Sequence, residues 1–209
     1  MKHKTHPLTK IHKALRLACL AVLSTGISQA ADRQWSGGTA SYNTPAGWTG
    51  GVVPNGGDNA INNSGAGNTV LISAADPNWV VGDIRSGDGG GNQGPWLQSG
   101  ATVTLNGWFR LGIGGGTGSY SMSGGILNVN ADRFNVGEGG TAVFTMTGGT
   151  INHNGGGGGQ FGVPNGGTGT FNQTNGTVNV NAAEFWVGQG GGSTGLYNKR
   201  TAVHVVEAS

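Results

Sequence analysis

One cysteine, Cys19, stands in the 209 residues, so no disulfide can form within the chain. Charge is sparse as well, with 11 Lys+Arg and nine Asp+Glu. The acids are scattered and never adjacent, and neither Gly-His-Gly nor Arg-x-Lys occurs. Acid–base cleavage of a polymer needs at least two carboxyl groups brought close together, and the sequence offers no such pair. His153 has no second histidine or cysteine at metal-ligand spacing, which leaves no zinc set. Beyond residue 30 no apolar run approaches the 18 or so residues of a membrane span. The catalytic, metal and cofactor assignments from sequence are therefore all none.

The few positive charges are unevenly placed. Lys2, Lys4, Lys10, Lys13 and Arg16 precede the short apolar run Leu17–Leu23, and Ser28-Gln29-Ala30 is a small-x-small cleavage site. Residues 1–30 therefore read as an export signal cleaved near Ala30, with the mature chain exported to the cell surface or the extracellular space. Cys19 lies within that signal and does not fit a lipoprotein site, because Arg16 stands where an aliphatic residue belongs. Removing five of the 11 bases and none of the nine acids leaves six against nine, a net charge of −3. The basicity belongs to the signal, and no nucleic-acid partner is implied.

What the chain has in abundance is glycine, 45 residues of it, confined to two places in a repeat. One copy, FNVGEGGTAVFTMTGGTINHN, starts at Phe134; the next, FGVPNGGTGTFNQTNGTVNVN, starts at Phe161, an offset of 27. Further copies start at Phe109 and Phe185, and a weaker one is expected to begin at Trp79 and resume at Trp96. Each copy divides into three short runs that alternate apolar and polar residues, the period of a strand with one buried face. The columns repeat: Phe109, Phe134, Phe161, Phe185; Leu111, Val136, Val163, Val187; Tyr120, Phe144, Phe171, Tyr197; Leu127, Ile151, Val178. His153 falls in a column otherwise held by Val129 and Val180. Units too short to bury a face alone must stack. The expected fold is all-β: a right-handed parallel β-helix with three short strands and 24–27 residues per coil. Gly124-Gly125 and Gly148-Gly149 give way to Asn175-Gly176, an exchange that predicts left-handed backbone at Asn175.

Asn128, Asn152 and Asn179 form one outward column, and Asn130, Asn154 and Asn181 another. Coils about 4.8 Å apart bring like amides within hydrogen-bond reach. These six are the candidate ligand-facing residues. The turns lack the recurring aspartate of a calcium roll, and Asp83 and Asp88 alone come near that pattern. Arg110, Arg133 and Glu138 read as solvated surface charges.

Four segments follow: the signal (1–30), an N-terminal cap or first coil (31–78), the repeats (79–198) and a tail (199–209). In the tail glycine and asparagine vanish and the repeat stops in mid-coil. It reads as a truncated or frame-shifted end, with a cap strand at Ala202–Val206 as the alternative. The opening Trp35…Trp48…Val53-Pro54-Asn55…Asp58, followed by V-G-x-G-G and S/T-G-G-x-[ILV]-N repeats, resembles large exported bacterial proteins with autotransporter-associated β-strand repeats. The resemblance implies a secreted or surface passenger-type β-helix. The expected function is a non-enzymatic structural or adhesive, adhesin-like stalk, with extracellular polysaccharide or matrix as partner. The alternative is a fragment of a polysaccharide-degrading β-helix enzyme whose active coils lie elsewhere.

Overall fold

The computed structural model describes residues 30–156, 159–181 and 183–200. Residues 1–29, which hold Cys19 and all but the last residue of the expected signal, and the tail from residue 201 lie outside the described residues. Strands are numbered in chain order, and three parallel sheets hold all of them. The first sheet stacks β1 (Asp32–Gln34), β3 (Asn59–Asn62), β6 (Ile84–Asp88), β9 (Phe109–Ile113), β12 (Arg133–Val136), β15 (Gly159–Asn165) and β18 (Ala183–Gln189). The second stacks β2 (Ala40–Ser41), β4 (Val70–Ile72), β7 (Gln93–Gln98), β10 (Thr117–Met122), β13 (Thr141–Met146), β16 (Thr168–Gln173) and β19 (Thr194–Lys199). The third holds β5 (Trp79–Val81), β8 (Thr102–Leu105), β11 (Ile126–Val129), β14 (Thr150–His153) and β17 (Thr177–Val180). The chain is a parallel β-solenoid of about 7 turns with three strands per coil. Register gives coil lengths of 24 residues from Tyr120 to Phe144, 27 from Phe144 to Phe171 and 26 from Phe171 to Tyr197.

The interior is the set of columns read from sequence. Phe109, Phe134 and Phe161 stack with ring centroids 4.5 and 4.2 Å apart. Beside them Tyr120, Phe144 and Phe171 stack at 5.2 and 4.6 Å. The two columns meet edge-on or tilted, as between Phe109 and Phe144. Offset stacks and T-shaped contacts both suit the ring quadrupole, so in-register coil spacing favours aromatic columns. A pairing rule runs alongside. The buried Tyr120 hydroxyl donates to Gln98 Oε1 at 2.7 Å, and the Tyr197 hydroxyl to Gln173 Oε1 at 2.6 Å. Between them Phe144 and Phe171 bring no hydroxyl, and the positions in register with Gln98 and Gln173 hold Met122 and Met146. Each buried hydroxyl thus has its acceptor, and each ring without one has an apolar neighbour position.

The N-terminal end is plugged by aromatic residues. Trp35, Tyr42 and Trp48 are all buried. Their polar atoms reach carbonyls of the same segment: Trp35 Nε1 donates to Gly38, Trp48 Nε1 to Tyr42 and Tyr42 Oη to Pro77, at 2.8, 2.7 and 2.6 Å. Burial, aided by the charge of Asp76, pushes the Tyr42 phenol up to about 12. Residues 31–78 thereby serve as plug while also supplying the first strands of two sheets.

Two expectations are corrected. The weak copy does not begin at Trp79: Ile84 is the partner of Phe109, and Trp79 pairs with Val103 in the third sheet. Trp79 stacks on Tyr42 at 4.3 Å and donates Nε1 to the Pro54 carbonyl at 2.7 Å, so it completes the plug and starts no new coil. Nor is Asn175 left-handed. The positive φ belongs to the second residue of each pair, at Gly125 (81°), Gly149 (86°) and Gly176 (87°), with Ala101 (51°) at that position one coil earlier. Asn175 instead accepts the Gly176 N–H at its side-chain oxygen, 2.8 Å, the local bond that suits Asn to the start of a turn.

Candidate functional site

The six sequence-selected asparagines lie where the column argument put them, on the outward side of the third sheet and at its edge. Asn128, Asn152 and Asn179 occupy the third position of β11, β14 and β17, each half-buried, and Asn130, Asn154 and Asn181 follow those strands, exposed. Asn152 Nδ2 donates to Asn128 Oδ1 at 2.9 Å, and Asn179 Nδ2 to Asn152 Oδ1 at 2.8 Å. Asn128 continues the line downward by donating to Thr104 Oγ1 at 3.3 Å. In the outer column Asn154 donates to Asn130 at 3.1 Å and Asn181 to Asn154 at 2.7 Å. Sequence reading missed a third rung on the second sheet, where Asn198 donates to Asn172 at 2.8 Å. Every amide donates towards the N-terminal coil, so the dipoles align head to tail and polarise one another. Each interior member of a column still has one N–H and one oxygen lone pair outside the ladder. The result is a fixed row of donors and acceptors repeating once per coil.

Exposed threonines extend the polar surface. Thr117, Thr141, Thr168 and Thr194 align in register along the second sheet.

The outer side of the first sheet differs from expectation. Arg110 and Glu138 are no loosely solvated charges: their side chains are 13% and 19% exposed and belong to one network. Asp83 Oδ2 takes Arg110 Nη2 at 2.9 Å and Arg85 Nη2 at 3.1 Å, while Oδ1 accepts the Trp108 backbone N–H at 2.8 Å. Glu138 Oε1 faces Arg110 at 3.6 Å and Arg133 at 3.8 Å, and Oε2 accepts Asn135 Nδ2 at 3.0 Å. The Arg110 and Arg133 guanidinium carbons lie 4.9 and 4.7 Å from the Trp108 ring, within cation–π range. The signal for this network is present in the sequence only once register is known: Arg85 and Arg110 are direct partners across adjacent coils. Two like charges at that spacing require anions between them, and Asp83 supplies one.

Asp83 and Asp88, the nearest approach to a calcium site, both face Arg85, at 3.1 and 3.7 Å. A cation already occupies the place between them. Among the described residues no three His, Cys, Asp or Glu side chains converge as a metal set. His153 is enclosed in the core beside Phe134 and Phe161, away from any surface. The chain matches no protein-family model, no curated protein and no solved structure.

Proposed function

We propose that the chain is an exported, non-enzymatic structural rod whose amide ladders bind extracellular polysaccharide or matrix at or beyond the cell surface. The observation that carries the reading is the amide row itself: five Asn-to-Asn hydrogen bonds at 2.7–3.1 Å hold the side chains in one repeating geometry. Side chains already ordered lose little freedom when a ligand arrives, so weak contacts are not cancelled by ordering cost. Amides repeating about every 4.8 Å along the rod offer the hydroxyl groups of an extended glycan a donor and an acceptor at each coil. Each contact adds little net free energy, about 0.5–1.5 kcal/mol, and affinity comes from their number along the rod. The basic and apolar leader supports export, and the likeness of the repeat to autotransporter-associated passenger repeats supports a surface or secreted address.

The test is retention of the folded chain on insoluble or immobilised polysaccharides, compared with Asn152→Ala and Asn154→Ala variants. Retention that weakens in both variants is expected. No retention on any polymer or matrix preparation overturns the binding function. New reducing ends or unsaturated products from pectin-type polymers overturn the non-enzymatic part and favour a polysaccharide-degrading enzyme.

A further inference from the structure

Asp58 is the only acidic side chain fully enclosed among the described residues, at 3% exposure. It sits just before β3, at the plugged end of the solenoid. Its Oδ1 accepts the Ala31 backbone N–H at 2.9 Å. Its Oδ2 faces Arg33 Nε at 3.6 Å and the Asn55 N–H at 3.4 Å. Ala31 is fixed at its other polar atom too, where its carbonyl accepts the Asn59 N–H at 2.8 Å. Asp32, the next residue, pairs with Asn59 in register and accepts Asn59 Nδ2 at 2.7 Å. A buried carboxylate therefore points at one particular backbone nitrogen, and that nitrogen follows Ser28-Gln29-Ala30 directly in the sequence.

We propose that Asp58 is a receptor for the α-ammonium group that removal of the leader creates at Ala31. The inference rests on the exported reading given above. The step is hydrolysis of the Ala30–Ala31 peptide bond by a leader peptidase. Water supplies the oxygen that makes Ala30 a free carboxylate, and its two hydrogens convert the Ala31 amide nitrogen to an ammonium. A neutral donor thereby becomes a cation on an acceptor that is already in place. The bond to the carboxylate is charge-assisted already and becomes an ion pair on cleavage, and its partial burial limits screening by water. The carboxylate can serve both neighbours, because Arg33 addresses Oδ2 and Ala31 addresses Oδ1. Asp32, the other charge beside the site, has its side chain 57% exposed and turned to Arg85 at 3.7 Å. The consequence is a cap that tightens when processing is complete, at the end of the rod where the first sheet begins.

The experiment compares the chain starting at Ala31 with a free amine against the same chain carrying an Nα-acetyl group. Acetylation restores the neutral amide donor and removes only the charge. At pH 7 the free-amine form is expected to melt about 5 °C higher. A carboxylate partner raises an α-amino pKa above its ordinary range of about 7.7–8.0. The advantage is therefore complete below that range and disappears as pH rises through the raised value. Asp58→Asn in both forms is expected to shrink the gap; if that variant does not fold, the acetylated pair decides alone. Equal melting of the two forms overturns the receptor. The mass of the chain recovered from the medium or cell surface tests the processing step separately. A start at any residue other than Ala31 overturns the cleavage position, and retention of an unprocessed chain inside the cell overturns the exported reading beneath it.

Discussion

Replacing His153 with valine tests whether the interior columns are set by packing alone. His153 lies in register with Val129 in the coil before and Val180 in the coil after. It is fully buried, and neither ring nitrogen makes a hydrogen bond of normal geometry, the Ala131 carbonyl lying near the ring but outside that geometry. Its nearest rings are Phe134 and Phe161, edge-on at 6.5 and 6.1 Å. A neutral imidazole carries one N–H and one bare nitrogen, and leaving such groups buried and unpaired costs about 1–3 kcal/mol. Valine removes both and restores the column, at the smaller cost of the space left by three heavy atoms. His153→Val is expected to gain about 1–2 kcal/mol at pH 7.5, a rise in Tm of about 4 °C for a chain of this size. The pH dependence adds a second signature. Burial lowers the His153 pKa below 6.5, against a smaller opposing pull from the Ala131 carbonyl and the Asp132 charge. Above pH 6.5 folded and unfolded states are both neutral at this residue and it contributes no pH dependence. Below 6.5 the unfolded chain binds a proton that the folded chain does not, so stability falls with pH by up to about 1.4 kcal/mol per unit until the folded pKa is reached. Parent and variant differ at this one residue, so urea unfolding at pH 7.5 and 5 compares them directly: the gap between variant and parent must widen in acid. A variant no more stable at pH 7.5, with an unchanged gap at pH 5, refutes the argument.

Other columns give further expectations. Tyr120→Phe strands the buried Gln98 Oε1 and should lose about 1–2 kcal/mol, whereas Tyr120→Phe with Gln98→Met copies the Phe144 and Met122 pairing and should recover most of it; a thermal double-mutant cycle reads the coupling. Gly112 has φ +62°, and a methyl group there would lie 2.3 Å from the Thr141 carbonyl oxygen, so Gly112→Ala should cost more than about 2 kcal/mol. Gly114, at φ +55° in open space, should cost only the left-handed penalty of about 1 kcal/mol when replaced by alanine, and urea midpoints of the two variants compare them. Asn152→Ala removes one ladder bond made to Asn128 and one received from Asn179, and should lower stability by about 1 kcal/mol in urea unfolding.

The parts of this fold legible in the sequence are those where one residue meets its own kind. Phe109, Phe134 and Phe161 align in the sequence because a parallel in-register stack places each ring on the next, and the column becomes illegible where Ile84 and Ala60 continue it. Trp79 misled because V-G follows it as it follows the repeat phenylalanines, while its real neighbours, Tyr42 and Pro54, come from a segment that repeats nothing. The Asp83, Arg110 and Glu138 network escaped for a related reason. Its members sit at different positions within their coils, and ion pairs between unlike positions leave no column to read.

That distinction also separates the two polar surfaces. Threonine is a good strand former, so the exposed line of Thr117, Thr141, Thr168 and Thr194 follows from local preference and calls for no cross-coil bond. Asparagine is depleted in strands, because its side chain competes for the backbone and packs poorly on a pleat. Its presence inside β11, β14 and β17 therefore needs a compensating term that a single coil cannot supply. The ladder supplies it, since Asn152 gains a donor role to Asn128 and an acceptor role to Asn179 only after three coils have stacked. An amide at these positions is unfavourable in the isolated repeat and favourable in the rod. The asparagine columns thus record assembly in the sequence, and the same preorganised amides remain on the outside, where the proposed glycan binding would draw on them.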